Sequence, residues 1–547
     1  MSLPKKRKNF KIKITAVILL VVIGGFLLLK HFVVNQFEKR FEETINSNPD
    51  RAYDIRYESF SFDLVKTQVK MEGITIIPIN VDSTTSNTIE GSVDLALLNG
   101  VGVIDFLLNQ SLTIDELRFE APKFTLVHSK REQASKSSGS FQDLFKDIVS
   151  RGEIKNFTLS EGEATLFIKN DTLRQIGSFE GFQLEAKNLA TDIERLNYAI
   201  PFQFNDLHTA FRNLEMEISE GEILRLGNFE FDYGNERLHL ADFSLTHDRD
   251  WKEVAREEEF QKDIIDFSVQ SITLSKVNPL SSLYNSLVVI AEKVEIDSLV
   301  LNDGRDKNIP RPPDVVKQNY AAMLKALDIP IRINSVAIKN SKVTYSEINI
   351  GSSSPGTLVL ENVNCKLYNL STIDSIEMKK PLQIELSALL NGEGKVNLIA
   401  KENYETMSVD AELTLGPMDM KSLNQTLINM AGVKVNEGRI LGLKAQMNWD
   451  LKGSKNKFQI EYDNLEIEIL KSNSRKENKF LSTVGKAAYH KSHIQSDKHY
   501  QEPEYYSYRN IYRGPFNFLW VNVKDGVFQT VPSGVARMFI PKPEKQD

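Results

Sequence analysis

The feature that most limits the fold is an alternation of apolar and polar residues with period two. It recurs in short runs from Tyr53 onward, among them IRYESFSF, VKMEGITI, LHLADFSL, VNLIA, MSVDAELTL and FQIEYDNLEIEIL. Successive side chains of a strand point to opposite faces, so each run reads as a β-strand with one apolar side. Helical spacing appears only in brief interruptions. Phe141, Leu144, Phe145, Ile148 and Val149 form one stripe, with Ser140 and Asp143 placed as a capping box, and Leu280, Leu283, Tyr284 and Leu287 form another. Val316, Tyr320, Met323, Leu324 and Leu327 form a third, opened by Pro313 and Asp314 and closed before Pro330. Leu423, Leu427 and Met430 form a fourth, ended by Gly432.

A repeat of spacing lies within the strands. Ile114-x-x-Leu117-x-Phe119-x-x-Pro122-x-Phe124-x-Leu126 has the same steps as Ile154-x-x-Phe157-x-Leu159-x-x-Gly162-x-Ala164-x-Leu166. Ile333-x-x-Val336-x-Ile338-x-x-Ser341-x-Val343-x-Tyr345 is a third copy, and Ile296-x-x-Leu299-x-Leu301-x-x-Gly304 reads as a fourth that breaks off into a Pro-rich loop. The opening step of three encloses polar pairs, Asp115-Glu116, Lys155-Asn156, Asp297-Ser298 and Asn334-Ser335. A bulge or corner there returns the next apolar residues to the same side. The small residue or proline at the ninth position marks a second turn.

Units that fold over and keep one wall apolar, recurring along a chain, are the pattern of a stacked or solenoid-like β body. An ordinary β-sandwich core produces the same alternation. The expected fold is therefore mainly β: an elongated, repetitive antiparallel β-groove or stacked β-sandwich with few short helices. Ile114, Leu117, Phe119, Phe124, Leu126, Phe157, Leu159, Val336, Ile338, Val343 and Tyr345 are the candidate wall residues.

The N-terminus follows another rule. Ile14 to Leu29 carries no charge, and extending the run through Lys30 and His31 to Val34 gives about 31 Å of helix, which matches a hydrocarbon core of about 30 Å. Ile14, Leu20, Phe26 and Leu29 are its anchor residues, and one N-terminal transmembrane helix is expected. Lys5, Lys6, Arg7, Lys8, Lys11 and Lys13 precede it without an acidic residue, which places the tail in the cytoplasm and the bulk outside it. A cleaved signal peptide is the rival reading, but no A-x-A site follows the run.

The 547 residues hold 67 Lys and Arg against 74 Asp and Glu, a net charge of −7, which disfavours a nucleic-acid partner. The single cysteine, Cys365, excludes an internal disulfide and any CxxC metal knuckle. It lies in an alternating run and reads as a buried core thiol. The expected divisions are a cytoplasmic basic tail (1–13), the span (14–34), an N-terminal β region (35–130), a middle β region with short helices (131–328), a C-terminal β region (329–470), a basic Tyr/His-rich loop (471–514) and a short helix with a tail (515–547).

A basic tail and one span, followed by YDIRYESFSFDLVKTQVKMEGITI and TIEGSVDLALLNGVGVIDFLLNQSLTIDELRFEAPKFTLV, resemble the N-terminal region of the AsmA-like family of Gram-negative envelopes. The stretch from PLQIELSALLNGEGKVNLIA to GRILGLKAQMNWDLKG is similar to that family's C-terminal region. The resemblance implies an inner-membrane anchor, a bulk periplasmic body with an apolar β-groove, and phospholipid as the bound partner. It also implies a role in moving lipid between inner and outer membrane or in maintaining the outer membrane, with outer-membrane or envelope proteins as further partners. It supplies no catalytic residue.

No G-x-S-x-G, H-E-x-x-H or G-x-x-x-x-G-K-[ST] motif is present, so no enzyme is expected and no cofactor is implied. His490, His493 and His499 with Asp497 and Glu502 invite a metal reading, but their spacing fits no standard site. The basic, tyrosine-rich stretch around them suits an anionic headgroup surface or a cell-wall polymer, with a solvated loop as the plainer reading. Phe516, Leu519, Trp520 and Val523 share a helical face after Gly514-Pro515, which reads as a cap on the β body, with a membrane or partner contact as the sharper reading. The expected function is non-enzymatic lipid carriage. The alternative is an envelope scaffold or assembly factor with a closed β core.

Overall fold

The structure, a computed structural model, describes residues 31–41, 53–79, 87–103, 105–106, 112–129, 152–169, 172–190, 203–277, 289–327, 330–373, 379–470 and 489–533. Its strands belong to one mixed sheet of 22. Contacts divide the chain into two compact units: Met1–Met216 with Glu230–Gly234 and Leu283–Asn285, and Glu217–Phe229 with Asn235–Ser282 and Ser286–Asp547. The division falls inside the stretch expected as one middle region. The anchor residues Ile14, Leu20, Phe26 and Leu29 and the stripes at 141–149 and 280–287 lie outside the described residues. Among the described residues no helix is long and apolar enough to cross a membrane.

The first unit holds β1 (Tyr53–Arg56), β2 (Ser59–Asp63), β3 (Gln68–Pro78), β4 (Asn87–Asn99), β5 (Leu112–Glu120), β6 (Lys123–Ser129), β7 (Gly152–Lys169), β8 (Leu173–Ala190) and most of β9 (Asp206–Ser219). β1 and β2 both pair with β3, and β5 and β6 both bridge from β4 to β7. Helix α1 (31–41) lays Phe37 into this core, its ring 4.5 Å from Phe62 and 5.0 Å from Phe106. Stacked and tilted rings at these distances add to area burial.

The second unit holds most of β10 (Glu222–Asp232), with β11 (Arg237–His247), β12 (Ile264–Ser275), β13 (Val289–Asp306), β14 (Ile331–Ile348), β15 (Pro355–Ser371), β16 (Leu382–Leu390), β17 (Gly394–Glu402), β18 (Val409–Leu415), β19 (Met418–Asp419), β20 (Val433–Trp449), β21 (Gly453–Ile469) and β22 (Glu504–Tyr508). Among the described residues four α-helices accompany them: α2 (Trp251–Glu257), α3 (Tyr320–Lys325), α4 (Asn424–Ala431) and α5 (Pro515–Thr530). α4 ends at Gly432, whose φ of 64° supplies the left-handed cap that the sequence places there. α5 opens with Pro at its first turn.

The sheet is mixed, where an antiparallel one was expected. β5 and β6 run parallel to β7, and β13 runs parallel to β14. The cause is the repeat itself, whose neighbouring copies lie side by side in the same direction. Ile114 opposes Ile154, Leu117 opposes Phe157, Phe119 opposes Leu159 and Phe124 opposes Ala164, each at equivalent steps. Parallel neighbours need a crossover of a dozen residues or more, and residues 307–330 provide one between β13 and β14.

That second parallel pair corrects the register of the fourth copy. Ile296 opposes Ile338 and Leu301 opposes Val343, so the copy aligned with Ile333 starts at Ala291 and not at Ile296. The expected second turn is present as a left-handed residue just before the ninth position: Ala121 (φ 46°), Glu161 (φ 54°) and Asn340 (φ 52°) precede Pro122, Gly162 and Ser341. Such bulges bend a strand and raise its twist.

The stripe expected as a helix from Val316 forms one only over α3. Residues 311–319 have no regular structure, because the Lys317 N–H bonds the Ile511 carbonyl at 2.7 Å and the Arg509 side chain bonds the Lys317 carbonyl at 2.8 Å. Tertiary backbone bonds there replace helical ones. The stretch expected as a loop from 471 to 514 includes the strand β22, paired with β21.

Candidate functional site

In the second unit the pairings line up apolar residues across the strands. Residues directly opposite in a ladder share a face. Leu240 of β11 opposes Ile272, which opposes Ile296, which opposes Ile338, which opposes Cys365, which opposes Leu386. The row continues through Leu398, Leu413, Ala445 and Phe458 of β21. It crosses ten strands without a polar residue, about 43 Å at about 4.8 Å per strand. A second row runs beside it from Leu238 through Leu274, Val294, Val336, Leu367 and Ile384, and a third from Leu245 through Phe267, Leu301, Val343, Leu360 and Leu390.

The residues between the first two rows point the other way and are mostly polar: His239, Thr273, Glu295, Lys366, Glu385, Glu412, Gln446 and Lys457 stand on one line, interrupted by Ala337 between Glu295 and Lys366 and by the exposed Ile399 between Glu385 and Glu412. Glu295 pairs there with Lys339 at 2.8 Å and Lys293 at 2.9 Å, and these bonds hold its carboxyl down at about 2. A shallow depression of about 790 Å³ lies on this polar side, between Lys401, Glu412, Lys457 and Tyr506. Its mixed charges converge on no point, and the apolar face carries the functional argument.

Cover over the apolar face is uneven. Ala445 and Phe458 are buried, at 1% and 0% exposure, whereas Leu240, Ile272, Ile296, Ile338, Leu386, Leu398 and Leu413 are only half-buried. α5 makes the difference. Phe518 packs against Trp449 at 5.9 Å, and Gly526 lies so close to Phe458 that an added Cβ would stand 2.4 Å from its ring. The helix expected as a cap thus covers β20 and β21, but through Phe518, Asn522, Gly526 and Thr530, whereas Phe516 and Trp520 of the expected face are exposed. Cys365 is buried within the row, and burial pushes its thiol up to about 11, so it stays protonated.

Polar clusters stand at two margins of the wall. Near the end of β13, Arg305 bonds Asp263 at 2.6 Å, while Tyr345 and Lys307 bond the two oxygens of Glu347 at 2.8 and 2.6 Å. Burial, with the neighbouring Asp263, raises the Asp303 carboxyl to about 6. At the far end of β17, Glu402 is 2% exposed and opposes Leu382 on one side and Val409 on the other. Burial raises its carboxyl to about 7, offset in part by the Ala321 N–H, Arg509 and the Tyr320 N–H. Those N–H groups lie near enough to attract the carboxylate but outside hydrogen-bond geometry, so both its oxygens lack a protein hydrogen-bond partner. Sequence reasoning missed this cluster, because Glu402, Tyr320 and Arg509 are far apart in the chain.

The candidate wall residues separate by unit. Ile114, Leu117, Phe157 and Leu159 are 3–6% exposed and belong to the protein-filled core of the first unit, with Phe119, Phe124 and Leu126 packed against it. Protein already covers the first four. In the second unit Val336 is buried, whereas Ile338 and Val343 are half-buried on the open rows and Tyr345 is half-buried between Asp303 and Leu358. His493 is fully buried, its Nδ1 donating to the Ile460 carbonyl at 2.7 Å and its Nε2 accepting from the Gln501 N–H at 3.3 Å. His490 and His499 stack face to face at 3.7 Å. The histidines are engaged in packing and backbone bonds, and among the described residues no group of three or more side chains is placed to hold a metal.

No protein-family model matches the chain, and no curated protein is similar to it in sequence.

Proposed function

We propose that the chain is a membrane-anchored envelope protein that binds phospholipid by its acyl chains on the apolar wall of the second unit. It moves lipid between inner and outer membrane, or maintains the outer membrane, and makes or breaks no bond. The observation that carries this reading is the half-covered row from Leu240 to Leu386, which runs on into the packed cluster at Leu398 and Leu413 and is backed by a largely polar face. Acyl chains laid on such a wall gain about 0.8 kcal/mol per buried CH₂ while headgroups stay in water. The resemblance to the AsmA-like family points to the same ligand.

A second reading, an envelope scaffold, is favoured by the first unit, where Ile114, Leu117, Phe157 and Leu159 are closed over by protein. One experiment separates the two. The chain from Asn35 onward, purified without detergent and extracted with organic solvent, releases phospholipid in more than trace amounts if the wall carries lipid. A lipid-free, monodisperse protein would support the scaffold.

A further inference from the structure

α3 and the segment before it turn apolar side chains outward, and so does α5. Val315, Val316, Met323, Leu327, Phe516 and Trp520 are between 48% and 73% exposed. They form one surface: the Phe516 ring meets Tyr320 edge-on at 5.3 Å, and the Lys317 N–H bonds the Ile511 carbonyl. Phe516 and Trp520 stand one turn apart on α5, while Phe518, Asn522, Gly526 and Thr530 on the same helix are buried against the sheet. The outward side chains are therefore not needed to hold the helix in place.

The charges around this surface lean to the positive side. Lys317 and Lys325 are exposed here and Arg513 is half-buried, while Arg311 pairs with Asp314 at 2.7 Å and Arg509 is buried, in a chain whose net charge is −7. Arg513 feels the like charges of Arg311 and Arg305, although Glu347 and Asp314 oppose them. A protein partner of standard size would cover about 20–30 residues, whereas this surface offers a few protruding side chains on the outer faces of two helices. Aromatic and aliphatic tips set among Lys and Arg suit the headgroup boundary of a bilayer.

We propose that this face docks on the surface of a bilayer containing anionic phospholipid, with Phe516 and Trp520 entering the acyl boundary. The contact is separate from the N-terminal span and from lipid carriage on the wall, so either can fail without the other. The test uses the full chain held in phosphatidylcholine nanodiscs and mixed with phosphatidylglycerol–phosphatidylethanolamine vesicles whose acyl chains are brominated. The vesicles should be captured and tryptophan fluorescence quenched, with the quenching lost in Trp520→Phe. The pair Phe516→Ser and Trp520→Ser should lower capture by about tenfold, since binding scales with buried apolar area, while the melting curve stays that of the parent. Equal capture by the double variant, no capture, capture without quenching of Trp520, or equal capture of pure phosphatidylcholine vesicles would each overturn the proposal.

Discussion

Ser298 and Asn340 stand at the same level of two adjacent parallel strands, and both hold a left-handed backbone, at φ 57° and 52°. They are flanked by the opposed pairs Asp297–Lys339 and Val300–Lys342. A bend in one strand alone would split the ladder, whereas matched bends preserve it. The crease is therefore a property of the repeat, and it lets apolar residues on both sides of the bend remain on one wall.

Replacing Asn340 tests that crease. Asn340→Val places a β-branched residue in the left-handed region and should cost about 1–2 kcal/mol. Asn340→Gly relieves the strain and loses only the exposed bond from Asn340 Nδ2 to Asp297 Oδ1, 3.0 Å long. Urea unfolding of both variants isolates the backbone term, and equal stabilities would remove the argument.

Gly526 gives a test with a definite sign. In an uncrowded helix Gly→Ala stabilises by about 1 kcal/mol. Here the added Cβ would meet Phe458 at 2.4 Å and the Tyr505 hydroxyl at 2.7 Å, and overpacking of this kind costs about 1–3 kcal/mol. Gly526→Ala should therefore destabilise the second unit, as read by thermal melting. A raised melting temperature would show that α5 does not press on β21.

Glu402 predicts a pH dependence. Its carboxyl holds a proton up to about pH 7 in the folded state, because burial disfavours the charge, against about 4.5 when exposed. The folded protein binds more protons between those values, so this group's stabilising contribution falls as pH rises through that window, by about 3 kcal/mol. Glu402→Gln should remove the slope, gaining stability at pH 8 and changing little at pH 4.5. Parallel slopes for variant and parent in denaturant titrations at several pH values would contradict this.

Much of the fold was legible because period two and the spacing repeat are local signals. The pairing of Ile114 with Ile154 follows from copies having the same steps. The five-residue error in the fourth copy arose because Ile296-x-x-Leu299-x-Leu301 fits the template as well as Ala291-x-x-Val294-x-Ile296 does. Only the ladder against β14 decides between them. The extended path of residues 311–319 was illegible, since its apolar spacing is helical and the backbone bond from Lys317 to Ile511 comes from a distant segment. The contrast between a covered Phe157 and a half-covered Ile338 was illegible too, because both occupy wall positions and differ only in what packs over them.

That contrast yields a paired prediction. Phe157→Asp buries an unpaired charge in a protein-filled core, costs several kcal/mol and should unfold the first unit. Ile338→Asp can keep its carboxylate near water, so it should retain a near-parental melt while losing bound lipid. Differential scanning calorimetry beside lipid extraction reads both, and collapse of both variants would show that the second unit's wall is closed as well.

The most direct measurement is photo-crosslinking in cells from adjacent positions that face opposite ways. A benzophenone side chain at position 338 stands on the row between Ile296 and Cys365, whereas one at position 337 lies on the line between Glu295 and Lys366. The account predicts phospholipid adducts, identified by mass spectrometry, from position 338 and none from position 337. Adducts from neither position, or equally from both, would contradict the claim that this wall carries lipid.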